Sequence, residues 1–371
     1  MFIKYVFMKC IAILLLLVLN AYFSVGQVDR IRMDTDMFRC LNQGKYDSVN
    51  VLANNVLKES AVIDEDTSVF KMNAYTALGI VQKNKGFYVS AIDFNLKLLA
   101  IAEKVKDSSR MSVAYNNIGE LYKFQNNIDQ AIVFFNKSLK LEMSLKNVEQ
   151  RSIRLYNLGD SYKQVDSFDI ALSYFNNSLI LEKKNQNPVG ISYAMLGLVD
   201  IYLEINQMAE AKRFLDKINK DILNNDYELN RLYGFLLLKY FVKSNDTNES
   251  NALFSEIKNN KKGKVDLIFD INLLKLEIEL LKNNSKWYLL SEKYEELIAL
   301  NEKYQSSEIQ NRMNDLLYLN DLKKKDLEIE LIKSQNDTIE KLKSFTNKLS
   351  IFLLLVLIFT VGYVVYNLKK K

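Results

Sequence analysis

Through most of this chain apolar residues recur at every third or fourth position, the spacing that lines one face of a helix, and strand-like alternation is hard to find anywhere. In the passage Tyr115 to Leu141, YNNIGELYKFQNNIDQAIVFFNKSLKL, Ile118 and Tyr122 share one helical face, and Phe135 and Leu139 share another. The polar run QNNID lies between them, so the pattern predicts two helices joined by a turn. The passage Leu155 to Leu181, LYNLGDSYKQVDSFDIALSYFNNSLIL, repeats the arrangement around QVDSF. From Trp287 a helical pattern runs without Gly or Pro to Phe345, and an uncharged apolar stretch, Leu349 to Leu368, follows. A shorter apolar run, Ile11 to Leu19, lies near the start. One proline and eleven glycines interrupt little of this, since Pro removes a helix hydrogen bond and Gly costs about 1 kcal/mol against Ala. The expected class is all-α.

Small residues keep a fixed register. Ala91, Ala131, Ala171 and Ala211 are forty residues apart. Twelve residues before them stand Gly79, Gly119, Gly159 and, breaking the pattern, Val199; nine residues before stand Gln82, Tyr122, Tyr162 and Tyr202. A glycine on one helix and an alanine on the next let two helices approach closely, and the expectation is that Tyr122 and Phe135 fill the wedge between them, with Ile118 and Leu139 extending the seam. One hairpin cannot bury its own apolar face, so neighbours must stack into a superhelix.

The order aromatic, Leu-Gly, Tyr, Ala, Phe, small residue, with Leu155 standing in the aromatic place and then Leu158-Gly159, Tyr162, Ala171, Phe175 and Ser178, resembles the tetratricopeptide repeat (TPR). The resemblance implies a solenoid whose first helices line a concave, peptide- or protein-binding surface. It covers residues 27–300, with clear repeats over about 72–220, a weaker one at Asn42 to Leu57, and degenerate pairs at Leu232 to Ile257 and Leu267 to Leu300. The period of forty exceeds the family's usual thirty-four, which suggests a longer second helix or inter-repeat loop. The pattern's terminal Pro is missing apart from Pro188.

On the expected groove, Glu120, Asp160 and Asp200 follow the glycine register by one residue, and Lys83, Lys123 and Lys163 stand three residues beyond that position, with Leu203 ending the series. Asn116 and Tyr156 come one turn before the acids. Asn116, Glu120, Lys123, Tyr156, Asp160, Lys163 and Asp200 are the candidate site, an acidic stripe beside a basic one. Glu120 with Lys123, and Asp160 with Lys163, are expected as i,i+3 pairs worth roughly 0.2–0.5 kcal/mol on a solvated helix. The family's carboxylate-gripping Lys/Asn pattern does not appear, which disfavours docking of chaperone tails.

Composition excludes much chemistry. There is no histidine, hence no imidazole base or zinc ligand. Cys10 and Cys40 are the two cysteines; with Cys10 in a segment expected to be removed, no internal disulfide or cysteine metal site remains, and Cys40 reads as a small buried residue. The formal charge of +5 comes from 50 basic and 45 acidic residues in scattered or short runs, which argues against a nucleic-acid surface. No glycine motif for phosphates exists. A non-enzyme without cofactor or metal is expected.

Residues 1–26 have the charged start, apolar centre and small residues (Ser24-Val25-Gly26) of a secretory signal; an uncleaved anchor is the alternative. Residues 348–368 are long enough to cross a bilayer, at about 1.5 Å per residue and about 30 Å of hydrocarbon, leaving 369–371 as a cytoplasmic stub. Between 301 and 347 the chain reads as a stalk in which Ile332, Gln335, Ile339, Leu342, Thr346 and Leu349 follow a 4-3 spacing. A parallel homodimer would bury that seam; a single helix folded back on the solenoid is the alternative. The whole order resembles bacterial envelope sensors, with the expectation that no kinase or DNA-binding output follows Lys371. The expected function is a receptor or adaptor anchored in the inner membrane, its periplasmic TPR groove binding a peptide or protein and a separate cytoplasmic protein reading any signal. The alternatives are a tethered scaffold or a sensor relic.

Overall fold

The structure, a computed structural model, describes the backbone of residues 30–59, 65–259 and 266–369, and their side chains except at 59, 65–66, 325–326, 329, 333 and 348–369. The expected signal segment, Cys10, and the side chains of the expected span lie outside the described residues. Every described element is a helix. They are α1 (30–42), α2 (Tyr46–Glu59), α3 (Glu65–Asn84), α4 (Tyr88–Lys104), α5 (Ser108–Phe124), α6 (Ile128–Leu145), α7 (Val148–Gln164) and α8 (Phe168–Lys184). Then follow α9 (Pro188–Glu204), α10 (Met208–Leu215), α11 (Lys220–Asn225), α12 (Tyr227–Lys243), α13 (Thr247–Asn259), α14 (Leu267–Asn283), a 3₁₀ turn (Trp287–Leu289) and α15 (Leu290–Lys369). The chain divides into two compact units, one ending at Asp315 and one beginning at Leu316. Residues 301–315, expected as the start of a stalk, belong to the first.

The forty-residue period has a simple origin. Gly86, Lys106, Asn126, Lys146, Asp166, Gln186 and Asn206 all have positive φ, between 54° and 79°, and they are twenty residues apart. Each is the left-handed residue that stops one helix before the next begins. Helices α5, α7, α8 and α9 are 17 residues each and α6 is 18. The extra length over an ordinary TPR is therefore shared by both helices, and no long inter-repeat loop exists in this region. After the left-handed residue comes a cap: Asp107, Asn127, Asn147 and Asn187 accept hydrogen bonds from the backbone N–H groups of Arg110, Gln130, Gln150 and Gly190. At Asn187 the cap is followed by Pro188 in the first turn, where its missing N–H costs nothing.

The small-residue register packs as the spacing requires. Ala91, Ala131, Ala171 and Ala211 are fully buried. A Cβ on Gly119 would lie 2.7 Å from the Phe135 ring, and one on Gly159 would lie 3.0 Å from Phe175. Tyr122 packs against the cluster of Ala131 and Phe135, as expected, and its ring also stacks on Phe134 at 5.4 Å, as Tyr162 does on Tyr174 at 5.4 Å and Tyr202 on Phe214 at 5.8 Å. Val199 is a core residue, and in its repeat the close approach moves to Gly197, where a Cβ would lie 2.5 Å from Phe175. Phe175 is thus held between Gly159 of its own hairpin and Gly197 of the next. In the earliest clear repeat Asn95 takes the ring's place, 2.9 Å from the corresponding point on Gly79. Cys40 is half-buried, not fully buried as expected.

The second unit is the helical continuation of α15. Leu327, Leu331, Ile332, Ile339, Leu342 and Phe345 are exposed along it. Among the described residues no helix is long and apolar enough to cross a membrane.

The glycine contacts predict opposite outcomes at two positions. Gly119→Ala forces the Phe135 ring to move and should cost about 1–3 kcal/mol in urea unfolding. Gly234→Ala, whose Cβ would meet nothing nearer than Ile257 at 3.7 Å, should be neutral or stabilise by up to about 1 kcal/mol.

Candidate functional site

The candidate site residues lie on first helices of their hairpins, α5, α7 and α9, and the structure brings them into one connected series. Their pairing differs from expectation. The Lys83 amine lies 3.1 Å from Glu120, Lys123 lies 2.8 Å from Asp160, and Lys163 lies 2.7 Å from Asp200. Each lysine therefore reaches the acid thirty-seven residues ahead, on the next hairpin. Of the two intrahelical pairs expected, Asp160–Lys163 is present at 3.2 Å as a secondary contact, and Glu120–Lys123 is not found among the described residues. A lysine near the end of one first helix lies level with the acid on the next.

Leu203 does not end the series. Lys239 on α12 supplies the missing cation, 2.7 Å from Asp200 and 2.8 Å from Glu204. Helix α12 begins thirty-nine residues after α9, so Lys239 stands at the register position of the next acid, a lysine where the earlier first helices carry Glu or Asp. Asn116 is buried rather than displayed; it donates to Glu120 at 2.9 Å and accepts from Asn157 at 2.9 Å. Tyr156 packs edge-on against Phe175 at 5.2 Å and Tyr193 at 6.2 Å.

The electrostatics follow from burial and pairing. Burial alone would raise the Asp160 carboxyl, but Lys123 and Lys163 reverse this and hold its pKa well below the usual carboxylate range. Asp200 is likewise lowered, against its burial, by Lys163 and Lys239. Burial would lower Lys163 and Lys239, yet Asp200 and its neighbouring groups raise both above an ordinary lysine. Burial, and then the Asp160 charge, raise the Tyr156 phenol.

A cavity of about 410 Å³ opens at the end of this series, among α7, α9, α12 and α14. Leu232, Phe235, Leu236, Ile268 and Phe269 form its apolar walls, and Lys163, Asp200, Glu228, Arg231 and Asp266 its charged rim. Those charges are mutually satisfied. Arg231 binds Asp266 at 2.8 Å and Glu228 at 2.7 Å, and lies 4.8 Å over the Phe269 ring. Asp266 also caps α14 by accepting from the Phe269 N–H. Among the described residues, the lining amide of Asn272 and hydroxyl of Tyr193 have no hydrogen-bond partner. The arrangement suits a bulky uncharged group with polar backbone nearby. Helices α12 and α14 begin at Tyr227 and Leu267 and so keep the spacing of about forty after Pro188; sequence reasoning missed the cavity because the glycine and alanine pattern is lost there.

Residues 70–141 match the tetratricopeptide repeat family. No curated protein matches the chain in sequence. Among solved structures, the apo form of RapI is similar at 14% identity and TM-score 0.61, over 75% of this chain and 99% of that one. A Rap protein complexed with Competence and Sporulation Factor is similar at 14% identity and TM-score 0.56, over 76% of this chain and 75% of that one. A tetratricopeptide repeat protein from Parabacteroides merdae is similar at 14% identity and TM-score 0.52, over 76% and 98%. At such identities the likeness concerns the fold: an all-helical, TPR-like solenoid of hairpins.

The pairing predicts a pH dependence with a definite sign. Folded Asp160 and Asp200 lose their protons more readily than unfolded ones. Their stabilisation is therefore complete above the ordinary carboxylate pKa, about 4, and is lost as pH falls through the folded values. Folded Lys163 and Lys239 hold protons more tightly, so their share is complete below about pH 10.4 and lost as pH rises through the folded values. Asp200→Ala, which strands two partly buried lysines, should cost about 3 kcal/mol at neutral pH and flatten the acid limb of a urea-midpoint profile.

Proposed function

We propose that this TPR-like solenoid is a non-catalytic binding protein whose first-helix face receives an extended peptide or protein segment. The cavity among α7, α9, α12 and α14 would take a bulky uncharged side chain. The observation that carries this reading is the combination of apolar walls with an unbonded Asn272 amide and Tyr193 hydroxyl, beside charges already spent on one another. An amide can hold a peptide backbone through its donor and acceptor together, while the apolar walls reward burial of a side chain. The first helices of a TPR-like superhelix form its concave side, which suits a segment laid along several repeats. A structural neighbour complexed with Competence and Sporulation Factor supports a ligand on this fold.

The same reading places the solenoid outside the inner membrane, with residues 1–26 as export signal, 348–368 as span and 369–371 as cytoplasmic stub. The 4-3 spacing near the membrane, with Ile332, Ile339 and Leu342 exposed, suits a second copy paired in parallel. A separate cytoplasmic protein would read any signal crossing the span. A tethered scaffold is the second reading, since a span serving only as an anchor needs hydrophobicity and no packing face.

Short synthetic peptides with a single varied residue, titrated against the full chain by fluorescence anisotropy, test the binding reading. A preference for bulky uncharged residues is expected, and Asn272→Ala or Phe269→Ala should weaken the best peptide about tenfold, or about 1.4 kcal/mol. Failure of every peptide to bind, or equal binding to both variants, would refute it. For the pairing, removal of residues 316–347 should convert a dimer to a monomer in analytical ultracentrifugation; an undiminished dimer would exclude the helix as its cause.

A further inference from the structure

The first part of α15 ties the last hairpin to the second. At one end Leu290, Leu297 and Leu300 pack with Leu274 and Ile278 of α14, and Lys293 lies 3.3 Å from Glu277. At the other end Asp315, only 1% exposed, meets the start of α4. Its carboxylate accepts from the Val89 N–H at 2.6 Å, from the Ser90 N–H at 3.0 Å, and from the Ser90 hydroxyl. Helix α4 has no cap of its own, because Phe87 at the cap position offers no side-chain acceptor. Val89 and Ser90 carry the N–H groups that a capping side chain would ordinarily satisfy. Asp315 thus supplies, from more than two hundred residues away, the cap that α4 lacks. Asn311 sits one turn earlier, where a Cβ on Gly86 would come within 3.2 Å of its amide.

Helix α14 is shared between this contact and the cavity. Ile268, Phe269 and Asn272 line the cavity, while Leu274, Glu277 and Ile278 hold the returning helix. A group pressing on the cavity side of α14 therefore bears on the base of a rigid rod about 37 Å long, whose far end must place one carboxylate within hydrogen-bond reach of three donors. Three short hydrogen bonds tolerate little displacement.

We propose that residues 290–315 are a strap with Asp315 as its latch, and that occupancy of the cavity and closure of the latch bias one another. The part concerning occupancy rests on the reading of the cavity as a binding site; the mechanical coupling does not. By linkage, whatever the cavity does to the latch, the latch does to the cavity.

Amide hydrogen exchange on the full chain in detergent tests this without any ligand. Asp315→Asn puts a donor where an acceptor is needed, and exchange at 88–91 should rise about tenfold. If the strap couples, exchange at 267–272, on the cavity side of α14, rises with it, and Phe269→Ala, made in the cavity, raises exchange at 88–91 in return. Changes confined to the mutated end would overturn the coupling, and no change at 88–91 in Asp315→Asn would overturn the latch itself. Should that variant lose helicity, Ser90→Ala removes only the hydroxyl bond and permits the same comparison. Peptide binding can fail while these exchange changes occur, so the two proposals stand or fall separately.

Discussion

A carboxylate on the inner face of one hairpin gives up much of its water and receives a lysine from the hairpin before it. Much of the rest of the solenoid serves that exchange. Asp160 and Asp200 are tolerated in their partly buried positions only because Lys123, Lys163 and Lys239 arrive within 3.2 Å. The lysines arrive because helix lengths and turns repeat with little error. Left-handed residues every twenty positions stop each helix at the same place. Phe135 on Gly119 and Phe175 between Gly159 and Gly197 fix how near the helices lie. A hairpin that slipped by one residue would turn its acid away from the neighbouring lysine and leave both without partners.

Charges that look available in sequence are already engaged between repeats, so attraction of a charged ligand is weak along the middle of the solenoid. Past Lys239 the series of lysines and acids stops, although α12 and α14 keep the spacing of about forty, and an apolar cavity with two unbonded polar groups takes over. The helix that follows spans the distance back to α4 and completes its cap.

The sequence made the helical hairpins, their forty-residue period and the buried alanines legible, because repetition turns weak local preferences into a consistent signal. The glycine contacts were legible for the same reason, except where Gly197 stands two places from its expected position. The candidate residues lie on first helices; of their partners the Asp160–Lys163 pair was read, and the pairs between hairpins were missed. An i,i+3 pair is visible in a string of letters, whereas a contact thirty-seven residues away depends on how two hairpins stack. Spacing could have suggested it, since Lys83, Lys123 and Lys163 each precede an acid by that interval. Arg231 and Asp266 lie beside the degenerate pairs and Asn272 within one, where the small-residue pattern gave no signal. Asp315 sits in a plain helical run, and nothing local marks it as the cap of a distant helix.

The central claim is that the lysines and acids of the inner face join one repeat to the next. A double-mutant cycle on Lys123 and Asp160, comparing Lys123→Met, Asp160→Asn and the double variant by urea unfolding, measures that directly. The account predicts a coupling of about 1–2 kcal/mol, reduced only modestly by salt because the pair is partly buried. A coupling indistinguishable from zero would mean that the residues are independent solvated charges, and the inner face would then be free to bind a charged ligand.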